Sequence, residues 1–254
     1  MLGSARNATV SMFPRRSFTE TVEGRRRLFV RARIFFLVFL SYELVVCVFL
    51  QTRVVTSTSM SPTMQAGDLL LLSPFPFGPD ILLGKLPAMA KPERGDLVLV
   101  RPPFELRTGI LRTVADSFVR FISFQRFNIA VPEPGAEVGG PFLVRVIAVP
   151  GDEVSMSAYV FMVRPQGSDH ALTEFEFSSH RYDIEKPSLP PGWKADYPLS
   201  GFLPPRILSR DEYFVASDMR GSSSDSRTWG PVSQRHFAAK ALLRYWPFAR
   251  FGSF

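Results

Sequence analysis

The sequence predicts a mainly β protein behind one N-terminal apolar helix, and three observations predict it. The only long apolar run, IFFLVFLSYELVVCVFL at 34–50, follows arginines at 25, 26, 27, 31 and 33. Beyond it the apolar residues come in short runs, LLLL, LVLV, LVRVIAV and YFVA, separated by Pro, Gly and Asp turn signals. That punctuation belongs to strands. A single stretch, 104–127, returns to helical spacing: Leu106, Ile110, Leu111, Val114, Phe118, Phe121 and Ile122 with arginines mostly between them. The order is a basic tail at 1–27, an anchor at 28–53 and a β-rich domain at 54–254, with insertions at about 104–140 and 155–210.

Composition narrows the class. A chain of 254 residues, 46% apolar and 13% aromatic, has material for a substantial core, and its 24 phenylalanines leave apolar surface for a bilayer. The formal charge of +7 raises the question of nucleic acid. The arginines crowd beside the apolar run, however, so the positive-inside rule explains them more simply. Cys47 is the only cysteine, so no internal disulfide forms.

The run at 34–50 is slightly short for a span, which needs about 20 apolar residues, and Leu28–Val30 or Val54 and Val55 extend it. Glu43 in its middle costs a few kcal/mol on insertion scales. It is either a contact to a partner helix or a tolerated polar residue. A cleaved signal peptide is the rival reading, but the apolar run is long and no small-x-small site follows it. The basic flank then stays in the cytoplasm and the rest lies outside. The helix at 104–127 is amphipathic and basic, suited to anionic lipid or to packing on the protein.

The segment Thr56–Asp68, TSTSMSPTMQAGD, follows the anchor directly. Ser57, Ser59 and Ser61 alternate, and on an extended chain they share one face. Six residues separate Arg53 from Ser59, under about 20 Å even fully extended, so Ser59 sits at the outer membrane surface.

Four boxes occur in order: STSMSPT, then RGDLVLV at 94–100, VRVIAVPGD at 144–152 and SDMRGSSSDSRTWGPV at 217–232. Together with the anchor they resemble signal peptidase I, a family of membrane-bound serine endopeptidases with a β catalytic domain. The resemblance implies that Ser59 is the nucleophile and that Ser57 and the Ser59 amide form an oxyanion hole. It implies that Met60, Met64 and Phe142 border a pocket for small side chains. Ser223, Asp218, Asp225, Arg227 and Arg145 match the polar scaffold of the site. Asp225 with Arg227, and Arg145, would form an ion-pair network.

The family's general base is a lysine directly before the arginine of the third box, and here that position is Val144. Valine transfers no proton, and Arg145 stays charged and points to the opposite face. Lys85, Lys91, Lys240, His170, His180 and His236 lie outside the box. The last box also departs, with Ser217-Asp218-Met219 for Gly-Asp-Asn and Gly221-Ser222 for Asp-Asn.

The expected function is removal of signal peptides from exported precursor proteins at a bacterial inner membrane, single-pass, without cofactor, metal or nucleic acid. The alternative is a catalytically impaired relative that binds signal segments or assists an active paralogue. The insertion at 155–212 is read as accessory surface.

Overall fold

In a computed structural model of the protein, residues 18–81, 84–103, 115, 118–119, 121–122, 141–178, 181–188, 192–194, 197, 199–221 and 225–254 are described. The start of the basic tail, most of 104–127, Ser223, His180 and the Glu43 side chain lie outside this set. Of the expected amphipathic helix, Ala115, Phe118, Val119, Phe121 and Ile122 are described, and they are helical.

The chain divides into two units, Met1–Tyr42 and Glu43–Phe254. Helix α1, Phe18–Val48, begins in the first and ends in the second. At 1.5 Å per residue its 31 residues measure about 46 Å. Its large apolar side chains, including Leu28, Phe29, Phe36 and Leu44, are exposed. Among the described residues no helix is long and apolar enough to cross a membrane. The helix closes when Phe49 and Leu50 amides both donate to Val45 O. The Thr- and Val-rich segment that follows favours extended backbone, and Gln51–Val54 is strand β1. The last residues of the expected anchor, 51–53, are therefore sheet.

Further strands in chain order are β2 (Leu69–Ser73), β3 (Asp80–Ile81), β4 (Gly84–Lys85), β5 (Leu97–Val100), β6 (Phe142–Ala148) and β7 (Glu153–Ser157). They continue with β8 (Val160–Arg164), β9 (Leu172–Thr173), β10 (Leu203–Ile207), β11 (Phe214–Ala216), β12 (Phe237–Trp246) and β13 (Gly252–Ser253). Seven form an antiparallel sheet in the order β1-β2-β12-β5-β6-β11, with β13 beside β12. The long C-terminal strand β12 runs through the middle of this sheet, between β2 and β5.

Side-chain alternation along β5 sorts the core. Leu97 and Leu99 join Met60, Met64, Leu70, Leu72, Ala239 and Ala241 on one face. Val98 and Val100 join Val144, Val146, Val215 and Phe237 on the other. With both faces covered, all four residues of β5 are buried, and a continuous apolar word, LVLV, is what such a strand requires.

The insertion after β6 is a second sheet, β10-β7-β8-β9. Its Val154, Met156, Phe161 and Val163 pack with Ile147, Ala148, Phe214 and Ala216 of the main sheet. Short α-helices α2 (Glu174–Phe177) and α3 (Ser226–Trp229) and three 3-10 turns, Phe75–Phe77, Gln234–His236 and Phe248–Arg250, are also described. The RGD turn before β5 needs its glycine: Gly95 has φ +87°, and a Cβ there would meet Ser178 Cα at 3.2 Å.

Candidate active site

Ser59 lies in a turn, not on an extended chain. Ser61 N donates to Thr58 O at 2.9 Å and Met64 N to Met60 O at 2.8 Å, so 58–64 coils back on itself. The expectation that Ser57, Ser59 and Ser61 share one face of a strand is overturned by these turn bonds. The coil drives Met60 and Met64 into the core, where both are fully buried. Ser57 and Ser59 stay half-buried. The Ser59 amide donates to Ser57 Oγ at 3.1 Å, which leaves the Ser57 O–H as a free donor.

Two bonds tie this turn to the last box. Met219 N donates to Ser59 O at 3.0 Å, and Thr63 Oγ1 donates to Asp218 Oδ2 at 2.5 Å. Asp218 in turn accepts Arg145 Nε at 3.0 Å and Arg145 Nη2 at 2.8 Å. The remaining Arg145 donor, Nη1, goes to Gly95 O at 3.0 Å. Arg145 and Asp218 are both buried. Burial works against the arginine's charge, yet Asp218, joined by Tyr182 and Glu174, moves the pKa upward. One guanidinium thus binds three of the boxes: RGD through Gly95, VRVIAVPGD through itself and SDMRG through Asp218.

The expected network of Asp225, Arg227 and Arg145 divides in two. Asp225 pairs with Arg227 at 2.6 Å, caps α3 by accepting Arg227 N, and accepts Ser217 N at 3.0 Å. Arg145 belongs with Asp218. A second fork, Arg94 to Asp152 at 2.8 and 2.6 Å, joins the RGD and PGD turns.

Val144 is fully buried, opposite Val98, within the apolar cluster on the far side of the sheet from Met60 and Met64. Phe142 packs against that same cluster. The three expected pocket residues are therefore not gathered: Phe142 sits with Val144, and the two methionines sit on the opposite face. Ser217 follows the register Ala216↔Arg145, so alternation places it on the Val144 side. Its hydroxyl is buried and has no hydrogen-bond partner among the described residues.

No other base reaches Ser59 among the described residues. Lys240 is paired with Asp96 at 2.7 Å. Lys85 donates to Arg235 O and Phe237 O at 2.8 and 2.6 Å, and burial lowers its pKa. His236 lies against Ser233 Oγ at 3.0 Å, and burial lowers its pKa as well. Lys91 and His170 are exposed. None of these hydrogen-bonds the Ser59 hydroxyl. Nor do the described residues hold any group of three His, Cys, Asp or Glu side chains placed for a metal ion.

Three contributors escaped the sequence reading: Thr63, Glu174 and Tyr182. Thr63 lies inside the first box, so proximity was its signal. Glu174 and Tyr182 lie in the insertion read as accessory surface, and no pattern of spacing marks them. The structure corrects that reading, because the Tyr182 ring covers the Arg145 guanidinium at 3.7 Å.

Residues 26–246 match the family model described as signal peptidase, peptidase S26. The chain is 24% identical over 202 residues to the probable signal peptidase I-2 of Synechocystis, covering 80% of this chain and 66% of that one. It is 24% identical over 204 residues to the signal peptidase I of Leptolyngbya laminosa, covering 80% and 71%. To thylakoidal processing peptidase 1, chloroplastic, of Arabidopsis thaliana it is 23% identical over 199 residues, covering 78% and 42%. The chain thus spans about two thirds of the first two relatives and under half of the third. Boxes joined through one buried guanidinium and a family match over most of the length lead to one conclusion: the chain belongs to the signal peptidase family, peptidase S26.

Proposed function

We propose that this chain is a membrane-associated serine endopeptidase that removes signal peptides from exported precursor proteins. The observation that carries the reading is the Ser59 turn. Its half-buried hydroxyl is unpartnered among the described residues, while its backbone is fixed to the last box through Met219 and Thr63. A nucleophile needs that combination of a free side chain on a held main chain.

In this reading Ser59 Oγ attacks the scissile carbonyl and the Ser57 O–H donates to the oxygen that becomes negative. The Ser59 amide joins it once released from Ser57 Oγ. The substrate adds as an extended strand, with backbone bonds for affinity and small side chains at the cleavage site for specificity. Position 144 takes no proton, so the Ser59 proton leaves to a group other than this residue.

Membrane association rests on two apolar features. One is the exposed apolar stretch of α1. The other is a patch at one end of the main sheet. Leu69 pairs with both Val54 and Trp246 there, and Val54, Trp246, Phe248 and Phe251 are all exposed. The Ser59 turn springs from that same end, since it joins β1 to β2. Aromatic residues next to arginines, here Arg244 and Arg250, suit a lipid interface.

The test is cleavage of a precursor with alanine at the small-residue positions by the full chain in liposomes, with the product's N-terminus sequenced. One cut after the small residue, abolished in Ser59→Ala, supports the reading. Capture of the precursor without cleavage supports the binding relative instead. Neither capture nor cleavage overturns both.

A further inference from the structure

Buried Glu174, Arg220 and Arg145 and half-buried Tyr182 form a chain of contacts from the second sheet to the main one. Glu174, at the start of α2, is buried. Its Oε1 accepts Phe161 N at 3.0 Å, and its Oε2 accepts both Tyr182 OH at 2.7 Å and the fully buried Arg220 Nη2. Tyr182 is thereby fixed at its tip, and Arg145 Cζ lies over its ring, 3.7 Å from the centroid. Burial first, then the Glu174 charge, pushes the Tyr182 pKa up, so its hydroxyl remains a donor. From Arg145 the contacts run through Asp218 to Thr63, in the Ser59 turn.

Backbone bonds repeat the connection. Glu185 N donates to Asp218 O at 3.0 Å, and Arg220 N donates to Glu185 O at 2.8 Å. Glu185 and Met219 form a parallel bridge. The stretch 218–220 is thus gripped on one side by 182–185 and on the other by the Ser59 turn.

Resting on the peptidase reading above, we propose that Tyr182 is a positioning residue for the nucleophile: it holds Arg145, and through Asp218 and Thr63 it sets the Ser59 turn. The second sheet then acts as a buttress of the active site. A guanidinium stacked on an aromatic face and forked to a carboxylate has its plane and its direction both fixed. Losing the ring frees the plane while leaving every ligand of Asp218 in place. Such looseness at a reacting centre lowers turnover more than substrate affinity, since an error of 1 Å suffices to cost about 10²-fold.

The experiment compares Tyr182→Leu and Tyr182→Phe in precursor cleavage. It is joined to an unfolding cycle of Tyr182→Leu, Thr63→Val and the double variant of the full chain. Tyr182→Leu is expected to lower kcat at least about tenfold with KM within about twofold, and Tyr182→Phe, which keeps the ring, to recover most of it. In the cycle the unfolding constants are expected to depart from multiplicativity by at least about threefold, because the two residues share Arg145 and Asp218. Multiplicative constants overturn the proposal whatever the kinetics show, and so does a Tyr182→Leu effect confined to KM. If the wild type cleaves nothing while the cycle departs, the peptidase reading fails and takes the role of Tyr182 toward the nucleophile with it, leaving only the structural coupling of Tyr182 to Thr63.

Discussion

The two faces of strand β6 have opposite characters. Arg145 looks onto a face where its three donating nitrogens each have a partner and its plane is covered by a ring. Val144, one residue earlier, looks onto valines and phenylalanines, with the buried Ser217 hydroxyl, unpartnered among the described residues, on the same side. The first face holds the buried pair Arg145 and Asp218. The second packs apolar side chains at the position where the resemblance implies a proton acceptor. A β-strand separates scaffold from chemistry by one residue, so one can persist while the other is rewritten.

The largest effect is expected from breaking the charged face. Asp218→Ala strands a buried guanidinium and is expected to cost about 3–5 kcal/mol in denaturant unfolding. A loss under 1 kcal/mol would mean that Arg145 finds another partner and is not the centre of this face. Next comes the link to the nucleophile turn. Thr63→Val removes one hydrogen bond to the Asp218 carboxylate and is expected to cost about 1.5–3 kcal/mol. It should also lower cleavage by Ser59, measured at saturating precursor.

The apolar face responds with the opposite sign. Ser217→Ala deletes a buried hydroxyl that has no partner among the described residues, so it is expected to leave stability unchanged or raise it by up to about 1 kcal/mol. Destabilisation beyond 1 kcal/mol would show that this hydroxyl is hydrogen-bonded in solution and that the Val144 side is more polar than drawn.

The smallest effect is a pH dependence at the far end of β12. Burial lowers the His236 pKa below its ordinary 6.5, so the unfolded chain binds this proton first. Stability linked to His236 is complete above pH 6.5 and is lost as pH falls toward the lowered folded value. In His236→Gln that loss should vanish, which urea titrations of both proteins between pH 7 and 5 would detect. Identical pH slopes contradict the assignment.

Much of this organisation was legible in the residues, and the reasons differ by region. LVLV at 97–100 reads as a strand buried on both faces, and so it is, because continuous apolar runs have little other use at that length. The turns at Gly95 and Gly151 are marked by glycines whose φ is positive. The place of β12 was not legible. Which strands neighbour one another is decided by pairing across long separations, here Ala241 with Leu72 and Lys240 with Val98, and no local spacing encodes it. The turn at 58–64 defeated the alternation argument because its bonds run between backbone groups of residues three and four apart. Arg145 was placed in the scaffold, but its partner was not Asp225, since α3 draws Asp225 to its own N-terminus. Tyr182 was invisible for a further reason: a ring that stacks on an arginine from 37 positions away leaves no periodic trace.

The most direct measurement is the rate of precursor cleavage by wild type, Ser59→Ala and Val144→Lys across pH. If the charged face has kept the nucleophile in place and only the base is missing from 144, Val144→Lys should raise the rate at least about 100-fold, the scale of general-base catalysis. That gain should grow toward alkaline pH as the buried amine loses its proton, and it should disappear when Ser59→Ala is added. A folded Val144→Lys protein no faster than wild type, or cleavage that survives Ser59→Ala, would contradict it.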